Sequence, residues 1–244
     1  MKNQTSSPHL TTMRFWWVLA NIIAWSASHR LLLGHSLQSS RDTIPTTILV
    51  LLDGLLIGAI LGLGEWIALR QISNRADGWF HATAWPQAMG VAVGWFLNLA
   101  MAYSWGARMG LPILVEGAGT SVAPSLVLVL TIVGATVGIS QWFVLRRFVP
   151  GRFRHGLLWV CGTIASLVSG WIVGVGMGAP TSFGLLSWLT GQNPYNAVSL
   201  YLDISNVLGG AVMGLISGGM TGSILVLLLA QRSDAIAPPS AEPL

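Results

Sequence analysis

The chain has 244 residues, of which 53% are hydrophobic and only 8% charged, against about 25% charged in an ordinary soluble domain. So few charges cannot cover a soluble body of this size. That excludes a cytosolic globular enzyme, a disordered chain and a disulfide scaffold, and leaves a polytopic membrane protein. The net charge of +4 does not point to nucleic acid, because the basic residues sit in short clusters beside apolar runs, as orientation signals do.

A span needs about 20 predominantly apolar residues, and six segments meet that need: Arg14–Leu33, Thr46–Leu69, Ala82–Trp105, Ser121–Leu145, Gly156–Met177 and Ile204–Ala230. They are apolar around the whole helix, which favours spans over surface helices. The first is the weakest. Lys2, Arg14 and the small residues Ser26, Ala27 and Ser28 also suit a signal peptide, a reading that the internal repetition described next opposes.

The second span contains Gly58, Gly62, Glu65, Trp66 and Arg70, and the fourth contains Gly134, Gly138, Gln141, Trp142 and Arg146 at identical spacing. Gly214, Gly218 and Thr221 continue the frame in the sixth span, without the Trp and Arg. The odd spans align on Ala24-Trp25, Gly94-Trp95 and Gly170-Trp171. A helix pair of about 70 to 80 residues thus occurs three times. The expected fold is all-α, a six-helix transmembrane bundle built from three two-helix repeats (about 14–75, 82–152 and 156–231). It is flanked by a cytoplasmic segment 1–13 and a disordered tail 232–244. Parallel repeats place the pseudo-threefold axis along the membrane normal.

Nine basic residues (Lys2, Arg14, Arg70, Arg75, Arg146, Arg147, Arg152, Arg154 and Arg232) lie on the side of the termini, against three (Arg30, Arg41 and Arg108) on the other. Both termini are therefore expected in the cytoplasm, with the chain in a bacterial inner or thylakoid-type membrane. The last outer loop, about Gly178 to Asp203, carries Phe183, Leu185, Leu186, Trp188 and Leu189, and is expected to lie on the membrane surface or dip into it.

Glycines spaced by four recur at Gly54, Gly58 and Gly62; Gly134 and Gly138; Gly170 and Gly174; and Gly210, Gly214 and Gly218. Such rows make grooves where helix backbones approach closely, a main source of helix association in lipid. Static packing is the plain reading, a sliding interface the functional one.

Asp53 and Glu65 share the second span, and a carboxyl group in hydrocarbon costs several kcal/mol unless paired, protonated or hydrated. They stand roughly 18 Å apart along the helix and about 120° around it, so each needs its own partner. Each is a candidate proton or cation site, or a structural hydrogen-bond acceptor. Gln141 and Thr221 at the repeat position of Glu65 favour hydrogen bonding there. Trp66, Trp142, Arg70 and Arg146 read as interfacial anchors.

Among the histidines, His29 is the candidate ligand for a tetrapyrrole pigment, since an axial ligand needs no motif; His81 and His155 are expected in solvated loops. No Cys/His cluster suggests a metal site, and the single Cys161 reads as a small buried hydrophobe. Signatures of nucleotide binding and of hydrolases are missing, so no enzyme is expected, and lipid is the expected bound molecule.

The frame at Gly134–Arg146, nearly repeated at Gly58–Arg70, resembles a group of bacterial multi-pass membrane proteins. These carry repeated glycine-rich helices that end in Gln-Trp and Leu-Arg, paired with helices containing Gly-Trp. The resemblance spans all but the tail and outer loops and brings no activity with it. A three-pair plan is also that of mitochondrial carriers, but their proline signature with acidic and basic partners is missing from the odd spans.

The leading expectation is a non-enzymatic subunit that packs against other membrane subunits or itself, as in a respiratory or photosynthetic complex. The alternative is a small proton- or cation-coupled transporter or channel using Glu65 or Asp53. A polar cavity reaching mid-membrane favours transport; a dry, glycine-packed centre favours the subunit. Reporter fusions near Arg75 and Arg152 and after Arg232 should all report a cytoplasmic location; a periplasmic tail would overturn both the orientation and the count of six spans.

Overall fold

A computed structural model describes residues 8–36, 43–73, 76–109, 122–147, 149, 153–190 and 198–236. Their regular structure is helical throughout: α1 (Pro8–Ser36), α2 (Thr43–Arg70), α3 (Trp79–Met109), α4 (Val122–Leu145), α5 (Phe153–Thr190) and α6 (Val198–Ile236). Four stretches have the length and apolar character to cross a membrane: Val50–Arg70, Val127–Leu145, Phe153–Gly174 and Ile204–Gln231.

Three expected boundaries move. α1 begins at Pro8, inside the segment read as cytoplasmic, and Met13 is fully buried in the core. α5 continues to Thr190 through Pro180, so the expected surface loop at 178–203 is helical on both sides and only 191–197 lies outside the described residues. α6 continues to Ile236, and of the expected disordered tail, 237–244 lies outside the described residues.

Each helix packs on the next in sequence and α6 returns to α1, and across the middle the helices meet through side chains such as Trp17, Trp79 and Trp159. The six helices therefore close a ring. The starts of α1, α3 and α5 meet the ends of α2, α4 and α6 in one buried cluster containing Trp17, Trp79, Trp159, Leu69, Leu145 and Leu225, so neighbours run antiparallel. Exposed Arg70, Arg146, Arg147 and Arg154 mark this as the basic end of the ring. The α2–α3 turn at this end needs Gly78, whose φ of 91° is disfavoured for any residue with a Cβ.

The glycine rows lie in the seams of the ring. A Cβ added to Gly58 or Gly134 would stand 2.8 Å from the Cα of Ala84 or Ile164, and one on Gly214 2.5 Å from that of Ile22. One turn on, Gly62, Gly138 and Gly218 face the Cβ atoms of Thr83, Thr163 and Asn21 at 3.1, 3.3 and 2.8 Å. Gly54 and Gly210 extend the contacts to α3 and α1, while Gly170 and Gly174 lie against Met213 and Gly209 of α6. Each even helix thus lays its glycines on the odd helix that follows. Close backbone approach replaces the hydrophobic drive that lipid does not supply.

α2 shows how the two faces divide. Ile57, Leu61, Glu65, Ala68 and Leu69 point inward and are buried, while Leu52, Leu56, Leu63 and Ile67 are exposed on the outside. Cys161 is also exposed, on the outer face of α5 rather than buried as expected.

Gly219 has nothing within 4 Å of an added Cβ, whereas Gly58 would meet backbone. Gly219→Ala should therefore raise stability in detergent by about 0.5–1 kcal/mol through helix propensity, while Gly58→Ala should lower it by about 1–3 kcal/mol through overpacking. Equal melting temperatures for the two variants would show that the α2–α3 seam is not close-packed.

Candidate functional site

Three fully buried tryptophans, one from the start of each odd helix, close the basic end. The rings of Trp17, Trp79 and Trp159 meet edge to face, with centroids 5.6, 6.0 and 6.3 Å apart. Sequence alignment of the odd helices had paired other tryptophans. Trp25 and Trp171 belong instead to a second apolar cluster deeper in the ring, with Ile57, Leu61, Val133, Val137, Leu167 and Met213, and the side chain of Trp95 lies outside the described residues.

Between the two apolar clusters lies a polar layer. Glu65 is buried there at 5% exposure. Its Oε1 accepts from Asn21 Nδ2 of α1 at 3.3 Å. Its Oε2 accepts from Trp79 Nε1 of α3 at 3.0 Å and Gln141 Nε2 of α4 at 3.0 Å. The Thr83 hydroxyl stands 3.5 Å from Oε2 and 3.2 Å from the Trp79 carbonyl, and its one proton serves one of them at a time. The same hydroxyl accepts from Gln141 Nε2 at 2.9 Å. Glu65 thus ties α2 to three other helices.

The polar residues at the matching level of the other even helices are Gln141 and Thr221, and both are buried. Trp17 Nε1 donates to Thr221 Oγ1 at 3.0 Å, as Trp79 does to Glu65. The third indole departs from this pattern: among the described residues Trp159 Nε1 is buried without a partner, while Gln141 gives its Nε2 protons to Glu65 and Thr83.

These side chains surround an internal chamber of about 30 Å³, room for roughly one or two water molecules. All six helices line it, through Trp17, Asn21, Trp25, Leu61, Glu65, Thr83, Gln87, Val137, Gln141, Thr163, Ser166, Leu167, Ser217 and Thr221. Glu65 is the one charged residue among these. Leu61 stands at the middle of the apolar stretch Val50–Arg70, so the chamber reaches mid-span. At this level polar side chains of all six helices meet between largely apolar walls, and the glycines lie around them in the seams.

The other candidates fall elsewhere. Asp53 is half-buried three turns along α2 and does not line the chamber. The glycine rows shape the seams only. His29 lies in α1, but its side chain is outside the described residues. His81 is exposed, whereas His155 is half-buried, with Nδ1 enclosed and unpartnered, not solvated as expected. Arg70 stacks on Trp66 with its guanidinium carbon 4.6 Å from the ring centre, while Arg146 lies 4.7 Å over Phe143 rather than over Trp142. No group of three or more His, Cys, Asp or Glu side chains gathers among the described residues.

Sequence reading singled out Glu65 and Gln141 but missed Asn21, Trp79, Thr83 and Gln87. Asn21 and Thr83 each stand four residues after a tryptophan, Trp17 and Trp79, and face a glycine seam, which is the signal; Gln87, in an apolar stretch, carried the same cost in hydrocarbon as any buried amide.

Trp79 and Trp159 are both fully buried, so replacement by Phe removes similar area from each. Only Trp79 donates to a carboxyl. Trp79→Phe should therefore lower stability by about 1–3 kcal/mol more than Trp159→Phe, read as thermal or denaturant midpoints in detergent; a larger loss at Trp159 would contradict the hydrogen-bond assignment.

No family model, no curated protein and no solved structure matches the chain.

Proposed function

We propose that this chain is a multi-pass protein of the bacterial inner-membrane type that binds a proton or small cation at Glu65, as a small transporter or channel held in an occluded form. The observation that carries this reading is Glu65 itself, the one charged residue lining a chamber built by all six helices. An uncompensated charge in hydrocarbon surroundings costs several kcal/mol, and the lining contains no Lys or Arg. A proton or small cation completes the charge balance. The apolar clusters above and below are the closed gates of such a site, and a volume of about 30 Å³ suits nothing larger than a small ion with its water.

In this reading all six helices span the membrane with both termini in the cytoplasm, and three helix pairs surround a pseudo-threefold axis. The glycine contacts of Gly58, Gly134 and Gly214 with Ala84, Ile164 and Ile22 support the repeat. They also revise its odd-helix register: Trp17, Trp79 and Trp159 become the equivalent tryptophans, at offsets of 62 and 80.

A non-enzymatic packing or accessory subunit is the second reading. It is favoured by the donors on Glu65, which suit a structural joint. Glu65→Gln separates the two. In reconstituted vesicles the parent should carry proton- or cation-coupled flux, and Glu65→Gln should lose at least about tenfold of it, equivalent to about 1.4 kcal/mol, with the melting temperature held. A parent without flux, or a variant with the parent's flux, would return the chain to the subunit reading.

A further inference from the structure

The chamber has two polar groups that the Glu65 network does not use. Trp25 lines it at 4% exposure, and its Nε1 is buried with no protein partner. Gln87 lines it at 2% exposure, and its side-chain amide has no hydrogen-bond partner among the described residues. Buried N–H groups are almost always paired, with protein or with ordered water. Trp25 Nε1 is such a group, and with the Gln87 amide and Glu65 it lines a space of water size whose remaining wall is largely apolar.

The groups facing the chamber decide what ligand it takes. Oε2 of Glu65 already faces donors from Trp79, Thr83 and Gln141, whereas Oε1 faces Asn21 alone. The hydroxyls of Thr163 and Ser166 donate to their own helix, to the carbonyls of Trp159 and Thr163. The unused partners therefore include the indole N–H of Trp25 and the amide of Gln87, beside one carboxyl oxygen with room for another partner. A bare metal cation would take lone pairs from the carboxyl, amide and hydroxyl oxygens here, but it leaves the Trp25 N–H without an acceptor. A water molecule, which donates and accepts, is satisfied by this mixture.

We propose that Trp25 and Gln87 hold one or two water molecules against Oε1 of Glu65, and that the ion this site handles is the proton, delivered through that water, rather than a metal cation. This deepens the ion-coupled reading above and rests on it. In the step, a hydronium ion in the chamber gives its proton to Oε1: an O–H bond forms on the carboxyl, one O–H bond of the hydronium breaks, and neutral water stays between Trp25 and Gln87. Release reverses the step. Among the described residues no other titratable side chain lines the chamber from any of the six helices, so Glu65 is the acceptor there.

The test uses the full chain in lipid vesicles with the membrane potential clamped, the proton followed by an enclosed pH dye, and sodium and rubidium followed as radioactive tracers. The parent should pass protons and show no Glu65-dependent sodium or rubidium uptake. Trp25→Phe and Gln87→Leu should each cut proton flux by about tenfold, the effect of one lost hydrogen bond. Thermal melting of the same variants gives an independent readout. If Trp25 Nε1 holds water, Trp25→Phe lowers the melting temperature. If the N–H is merely unsatisfied, its removal leaves stability unchanged or raises it. Undiminished proton flux with unchanged or raised melting in Trp25→Phe overturns the water site. Glu65-dependent sodium or rubidium uptake overturns the proton assignment while leaving the ion-coupled function standing. No flux of any of the three ions in the parent overturns that function and this inference with it.

Discussion

Hydrocarbon offers no hydrogen bonds, so a polar group inside a membrane bundle must find its partners within the protein. The arrangement around Glu65 follows from that constraint. One carboxyl group faces donors from Asn21, Trp79, Thr83 and Gln141, drawn from three helices other than its own. Those donors can converge only if α1, α3 and α4 hold fixed depths relative to α2. A helix displaced by one turn, about 5.4 Å, would carry its donor out of reach and leave a buried group unpaired. The polar layer therefore specifies the register of four of the six helices.

The glycine seams make that convergence possible. Hydrogen bonds near 3 Å across a six-membered ring of helices need the helices close enough for short side chains such as Thr83 and Asn21 to reach inward. Gly62 faces Thr83 and Gly218 faces Asn21 directly, so the residues that bring backbones together lie opposite those that donate. Packing and polar chemistry are thus coupled at the same level of the bundle: bulk added in a seam moves a donor as well as a helix. The tryptophan triad and the deeper apolar cluster then enclose the layer from both ends, which keeps the local dielectric low and strengthens the bonds inside it.

The Gln141 amide departs from an otherwise regular pattern. At the level of Glu65, Gln141 and Thr221, two of three indoles donate to the neighbouring even helix, and the third, Trp159, has no partner. Gln141 gives its Nε2 protons to Glu65 and Thr83, and no acceptor among the described residues bonds the Trp159 indole. An unpaired indole N–H costs about 1–3 kcal/mol. The bonds from Gln141 to Glu65 and Thr83 offset that cost.

Much of this was legible in the sequence. Apolar runs of span length announced helices, since a chain in lipid must satisfy its backbone internally. The glycine rows of α2, α4 and α6 were readable because a Cβ clash recurs at every turn of a close seam, which imposes a strict period of four. Glu65 and Gln141 stood out as polar groups in costly surroundings, one turn before an anchoring Arg. The depth of the odd helices was less legible, because twelve tryptophans offer several plausible alignments and no glycine row settles the choice in α1. Only the tertiary structure gathered Trp17, Trp79 and Trp159 into one cluster. It alone brought Asn21, Thr83 and Gln87 to the level of Glu65, and made a chamber of the gap between six helices. The physical reason is that a periodic contact is written within one helix, whereas the depth of one helix against another is decided when the ring closes.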